Sequence, residues 1–165
     1  MPLVRAAQRG DRDAYAELYR RFGRFVYAVL LARVSHDAAA DLAQDVFLQG
    51  WTRIGALRDA AAFPGWMAAI ARRRATDHLR RSPPEVELQN GHASRESPDV
   101  TLEAGRALAA IRALPEAYRE TLTLRLVEGY SGPEIAELTG LTPDSVRVNL
   151  HRGFKLLRER LGGSP

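Results

Sequence analysis

Ser131 to Leu161, SGPEIAELTGLTPDSVRVNLHRGFKLLRERL, is the stretch that decides how this chain folds. Ser131 and Glu134 have the spacing of a capping box: a hydroxyl meets a backbone amide, and a carboxylate reaches back to the cap. The short helix that follows turns Ile135, Ala136 and Leu138 inward. Gly140 ends it and supplies the positive φ that a tight turn needs. Thr142 caps the next helix, and Pro143 takes its first position, where a missing N–H costs nothing. Ala136 is small enough for two helices to cross steeply, and Val146 locks the second onto the first. This is the geometry of a helix-turn-helix, whose second helix enters the major groove of a DNA duplex. The plainer reading of the segment is a helical hairpin with a solvated basic face.

The second helix has two sides. Val146, Leu150, Gly153, Leu157 and Leu161 fall on the inner one. Ser145, Arg147, Asn149, Arg152, Lys155 and Arg158 remain outside. The first three carry donors and acceptors suited to base edges. Arg152, Lys155 and Arg158 suit phosphates, which fix register without reading sequence.

The rest of the chain fits a helical protein. Its 165 residues are 45% hydrophobic and 27% charged, a globular balance. The net charge of +4 favours a polyanionic partner. The absence of cysteine excludes disulfides, thiolate catalysis and cysteine-bound metals. Met1 to Arg12 is too polar for a signal peptide. The longest apolar run, Phe25 to Ala32, is amphipathic and far short of the ~20 residues that span a bilayer. No membrane insertion and a cytoplasmic location are therefore expected.

Between Ser82 and Pro98 the composition changes: SPPEVELQNGHASRESP holds three prolines, one glycine and few large apolar side chains. It reads as a flexible linker between two helical domains, the alternative being one long surface loop. The first half shows three helices. Tyr15, Leu18, Tyr19, Phe22, Val26, Val29 and Leu30 form the stripe of the first. Ser35 caps the second, with Ala39, Leu42, Ala43, Val46, Phe47 and Ile54 inward. The third starts near Phe63 and runs to about Arg81. Beyond the linker, one helix carries Leu108, Ile111 and Leu114. Another, opened by Pro115, carries Tyr118, Leu122 and Leu126 and ends at Gly129.

Two surfaces of the first half carry chemistry. Arg72, Arg73, Arg74, Arg80 and Arg81 crowd one helix, relieved only by Asp77. Arg72, Arg73, Thr76 and Arg80 share its outer face, with Phe63 and Trp66 near its start. Guanidinium forks beside aromatic rings suit a strand with unstacked bases. A solvated charge run, with Trp66 in the core, is the plain alternative. On the preceding helix, Asp41, Gln44, Asp45, Leu48 and Thr52 occupy one narrow outer sector. An acidic face with an exposed leucine suggests protein docking, although a bare solvent face has the same composition.

Together these segments resemble the bacterial sigma-70 family, in its extracytoplasmic-function (ECF) branch. The matching strings are DLAQDVFLQGW (Asp41–Trp51), FPGWMAAIARRRATDHLRR (Phe63–Arg81) and the run from Leu114 to Leu161. The resemblance implies an all-α fold of two small domains joined by a flexible linker. Residues 1–81 would be the region 2-like domain, 82–103 the linker and 104–165 the region 4-like domain. It implies that Asp41, Gln44, Asp45 and Leu48 dock on core RNA polymerase. It implies that Phe63, Trp66, Arg72, Arg73, Thr76, Arg80 and Arg81 act on the −10 promoter element, with the loop Leu57–Ala62 holding a flipped base. Ser145, Arg147, Asn149, Arg152, Lys155 and Arg158 would face the −35 element. Promoter DNA, core RNA polymerase and an anti-sigma protein are the implied partners, with no cofactor.

Two places depart from the family pattern. Arg73 and Arg74 replace a common asparagine and a common apolar residue, and Arg74 falls towards the buried side of its helix. The common Val-Lys-Ser-Arg-Leu of the recognition helix is here Val146-Arg147-Val148-Asn149-Leu150. Asn149 has the chemistry to pair bidentately with adenine.

Other classes are weighed by the same residues. A stand-alone helix-turn-helix regulator needs no basic-aromatic helix in its first half. A decoy that only sequesters an anti-sigma protein needs no arginines on both faces. An enzyme is not indicated: His36, His78, His92 and His151 lack metal-ligand spacing, and no nucleophile constellation or phosphate-binding glycine loop occurs.

Overall fold

A computed structural model describes residues 1–81 and 98–162, with side chains from residue 103 onward in the second part. Every regular element among them is helical. The first half holds α1 (Pro2–Gln8), α2 (Arg12–Leu31), α3 (His36–Arg53) and α4 (Phe63–Arg81). Two short 3₁₀ turns, Ile54–Ala56 and Ala60–Ala62, join α3 to α4. The second half holds α5 (Pro98–Arg112), α6 (Glu116–Leu126), α7 (Gly132–Thr139) and α8 (Pro143–Gly162).

Local chemistry sets the helix ends. Asp11 accepts the Ala14 amide at 3.0 Å and opens α2, and Ser35 accepts the Ala38 amide at 3.3 Å and opens α3. α5 begins at Pro98, inside the span 82–103 expected to be linker. Proline fits a helix's first turn, so it starts this helix instead of closing the linker. Residues 82–97 of that expected linker lie outside the described residues.

α1 was not foreseen in the sequence. It is seven residues long, has no side-chain cap and buries Val4 and Ala7. A helix this short depends on tertiary packing.

The first-half core is formed by α2, α3 and α4. Leu18, Phe25, Val26, Val29 and Leu30 of α2 are buried, as are all six residues assigned to the inner side of the α3 region. Phe25, absent from the expected stripe, is fully buried, whereas Tyr19 is exposed and lies edge-on to Phe47. In the second half Ile111, Leu114, Leu122 and Leu157 make a small cluster of their own. Leu124, Ile135, Ala136 and Val146 instead join the core of the first half. The halves therefore pack against each other along an apolar seam, mainly through α2 with α6 and α4 with α7.

Candidate nucleic-acid interface

The helix-turn-helix forms as its residues dictate. The Ser131 hydroxyl accepts the Glu134 amide at 3.3 Å, and the Glu134 carboxylate accepts the Ser131 amide at 2.7 Å. These hydrogen bonds hold the Glu134 carboxyl below the usual carboxylate range. Gly140 takes φ +78°, the left-handed conformation that glycine adopts freely. Thr142 then accepts the Ser145 amide at 3.1 Å and donates to the Ser145 hydroxyl at 2.8 Å.

This turn leaves one side of α8 open. Ser145, Arg147, Arg152, Lys155 and Arg158 are exposed, and Asn149 is half-buried. Arg147 is 75% exposed, with only a loose 3.6 Å pairing to Asp144. Val146, Gly153 and Leu157 face inward as expected. Leu161 does not: it is 57% exposed, because the packing of α8 ends before its last turn.

α4 presents Arg73, Thr76, Arg80 and Arg81 to solvent, while Arg72 and Trp66 are half-buried. Phe63 is a correction. It is fully buried, with Phe22 at 5.5 Å and Trp66 at 6.1 Å between ring centroids. Its ring is part of the core, so it is unavailable to stack on a base. Arg74 finds an amide and not an acid: its Nε donates to Gln49 Oε1 of α3 at 2.8 Å.

The loop Leu57–Ala62 is tied to α1, a link the sequence did not signal. The Gln8 amide donates to the Ile54 carbonyl at 3.0 Å and to the Leu57 carbonyl at 2.7 Å, and Arg5 donates to the Arg58 carbonyl at 3.1 Å. Asp59 caps the second short turn through the Ala61 amide at 3.0 Å.

On α3, Asp41, Gln44, Asp45 and Leu48 are all exposed, Leu48 at 66%. Beside them an open groove runs between α2 and α3, floored by Tyr19, Gly23, Tyr27, Ala43 and Phe47. The Tyr27 hydroxyl is buried there with no hydrogen-bond partner among the described residues. Burial and then the nearby Glu128 push its pKa up to about 12.

Comparison with known proteins fits this arrangement. Residues 18–83 match sigma-70 region 2, and residues 104–157 match sigma-70 region 4. The RNA polymerase sigma factor CarQ of Myxococcus xanthus is 32% identical, covering 93% of this chain and 92% of CarQ. The chain belongs to the sigma-70 family, in its ECF branch. The ECF sigma factor BldN of Streptomyces coelicolor is 31% identical over 98% of the chain, which spans 65% of BldN's length. Two solved structures share the fold. CnrH, in complex with the cytosolic domain of CnrY, superposes with TM-score 0.70 at 22% identity, covering 99% of this chain and 97% of CnrH. RpoE of Bartonella quintana, in complex with the anti-sigma factor NepR, gives 0.63 at 21%, covering 93% and 99%.

In this sigma factor a buried carboxylate sits in the seam between the halves. Glu120 of α6 is 8% exposed. Arg72 donates to its two oxygens from Nε at 2.9 Å and from Nη2 at 2.6 Å. Arg33, in the α2–α3 connection, adds a contact at 3.0 Å. Burial alone would raise the carboxyl's pKa, but the Arg72 hydrogen bonds and the two positive charges hold it below the usual range. Arg24 with Glu128 at 2.9 Å, and Arg112 with the Leu31 carbonyl at 3.1 Å, also bridge the halves of the sigma factor.

Proposed function

We propose that this sigma factor binds core RNA polymerase and directs initiation by gripping a promoter at two places. Residues 1–81 act as the polymerase and −10 unit, and 104–165 as the −35 unit. Asp41, Gln44, Asp45 and Leu48 contact the polymerase. Trp66, Arg72, Arg73, Thr76, Arg80 and Arg81 take the −10 non-template strand. Ser145, Arg147, Asn149, Arg152, Lys155 and Arg158 take the −35 duplex. The observation that carries the reading is the pairing, in one chain, of an outward cationic recognition helix with a second arginine-lined helix beside Trp66.

The physics differs at the two places. At −35 the duplex stays paired, and a few base edges add to phosphate contacts. At −10 the strands part because unstacked bases gain a ring to stack on and guanidinium groups that hold their phosphates. No bond is made or broken by the protein itself, so it acts as a specificity subunit and not as an enzyme. It works in the cytoplasm, where promoters are. An anti-sigma protein is the expected inhibitor, as NepR is the anti-sigma factor bound to the Bartonella RpoE.

The polymerase assignment is tested by co-elution with core polymerase. Asp45→Arg and Leu48→Asp should each weaken association at least tenfold without moving the unfolding midpoint, because both side chains are exposed. Unchanged association would remove α3 from the interface.

A further inference from the structure

The two DNA surfaces are not equally available in the free chain. Those of the recognition helix face outward: Ser145, Arg147, Arg152, Lys155 and Arg158 are exposed. The start of α4 is covered by the second half. A Cβ placed on Gly65 would lie 4.0 Å from the Thr139 carbonyl, so the end of α7 lies over the turn that carries Trp66. Both oxygens of Glu120 take up the Nε–Nη2 edge of Arg72. A carboxylate and a nucleic-acid phosphate satisfy an arginine fork in the same bidentate way. Glu120 thus fills on Arg72 the place that a backbone phosphate would fill.

We infer that Glu120 is an internal phosphate mimic, which latches the second half over α4 and leaves −35 binding open while −10 capture waits. The inference rests on the −10 role proposed for Arg72. Incoming non-template strand competes with Glu120 for one guanidinium. Release of Arg72 removes one tie from a seam that its apolar contacts and the Arg24–Glu128 and Arg112 bridges still hold, and so shifts the population towards separated halves. A ligand that binds only the open form shifts the population by its differential affinity, and −35 duplex has no such preference. The latch therefore sets an order of engagement: duplex first, melted strand second.

The test uses the full-length chain and two fluorescent DNA probes from a promoter selected by transcription: the −35 duplex and the single-stranded −10 non-template segment. Glu120→Gln keeps the shape and removes the charge. It should strengthen −10 strand binding about tenfold, within the usual range of coupling between sites, and leave −35 binding within twofold. A second variant works in the opposite direction and guards against misfolding. The chain has no cysteine, so Gly65→Cys with Thr139→Cys allows the seam to be closed by a short bifunctional thiol reagent. The tethered protein should lose −10 binding and keep −35 binding, and cleaving the tether should restore −10 binding. A monofunctional reagent on the same two thiols is the control. Equal −10 binding by wild type, Glu120→Gln and tethered protein overturns the latch, as does failure of every released form to bind the −10 strand. Run-off transcription by Arg72→Ala separates the two claims: undiminished transcripts would overturn the −10 role of Arg72 itself.

Discussion

Gly153 of α8 lies so close to Leu122 of α6 that a Cβ there would stand 3.0 Å from Leu122 Cδ1. This crossing fixes the tilt of the recognition helix against the domain that carries it. Gly153→Val should destabilise the fold by about 1–3 kcal/mol through overpacking, and weaken −35 binding with it. Gly153→Ala should be nearly neutral, because about 1 kcal/mol of helix propensity offsets the crowding. Urea unfolding of the two variants checks this. Equal effects from alanine and valine would contradict it.

The capping box makes a second prediction. Ser131→Ala should cost about 1 kcal/mol. The Glu134 carboxyl is held below its usual range by its hydrogen bonds to Ser131. A carboxyl lowered in the folded state stabilises above its unfolded pKa, and that contribution fades as pH falls through the lower folded value. Glu134→Gln should therefore flatten the acid limb of the stability profile, as read by circular dichroism across an acid titration.

Much of this arrangement was legible in the sequence because it is local. Ser35, Ser131 with Glu134, Gly140 and Thr142 act within a few residues of themselves, and each cap and turn stands where those residues require. The inner side of α3 followed from period alone. What was illegible involves partners far apart in the chain. Glu120 lies 48 residues from Arg72, and Gln49 lies 25 from Arg74. No pattern in either neighbourhood announces the pair. Phe63 sits at a helix start, where period cannot say which way a ring turns. α1 offers two small anchors, and its worth to the site lies in Gln8 and Arg5 bracing a loop some 50 residues away in sequence.

Acid should open the seam between the halves. Glu120 is held below the usual carboxylate range by Arg72 and Arg33 against the opposing effect of burial. Its stabilisation is present above the unfolded carboxyl pKa and lost as pH falls through the lower folded value. A dye pair placed across α4 and α7 should report a longer mean distance on acidification, and Glu120→Gln should show a longer mean distance than wild type already at neutral pH. Removing the carboxylate by Glu120→Ala leaves Arg33 buried without its closest acid, at a cost of about 3 kcal/mol. A distance that ignores both pH and substitution would contradict the ion-pair seam.

On the proposed duplex side, Arg147, Arg152, Lys155 and Arg158 are exposed cations of α8. If all reach phosphates, log K for −35 duplex should fall against log salt with a slope of about −3 to −4. Arg147 stands in the part of α8 proposed to read bases, so Arg147→Ala should flatten discrimination among −35 sequences by about 1–3 kcal/mol. A uniform loss on all sequences, with a shallower salt slope, would make Arg147 a phosphate contact.

Run-off transcription with core polymerase on a randomised promoter library, with and without this chain, tests the central claim most directly. The account predicts transcripts only in its presence, from templates that share one −35 and one −10 sequence at fixed spacing. It also predicts that Arg73→Ala with Arg80→Ala abolishes them. Transcripts that do not depend on the chain, or that share a single element, would contradict it.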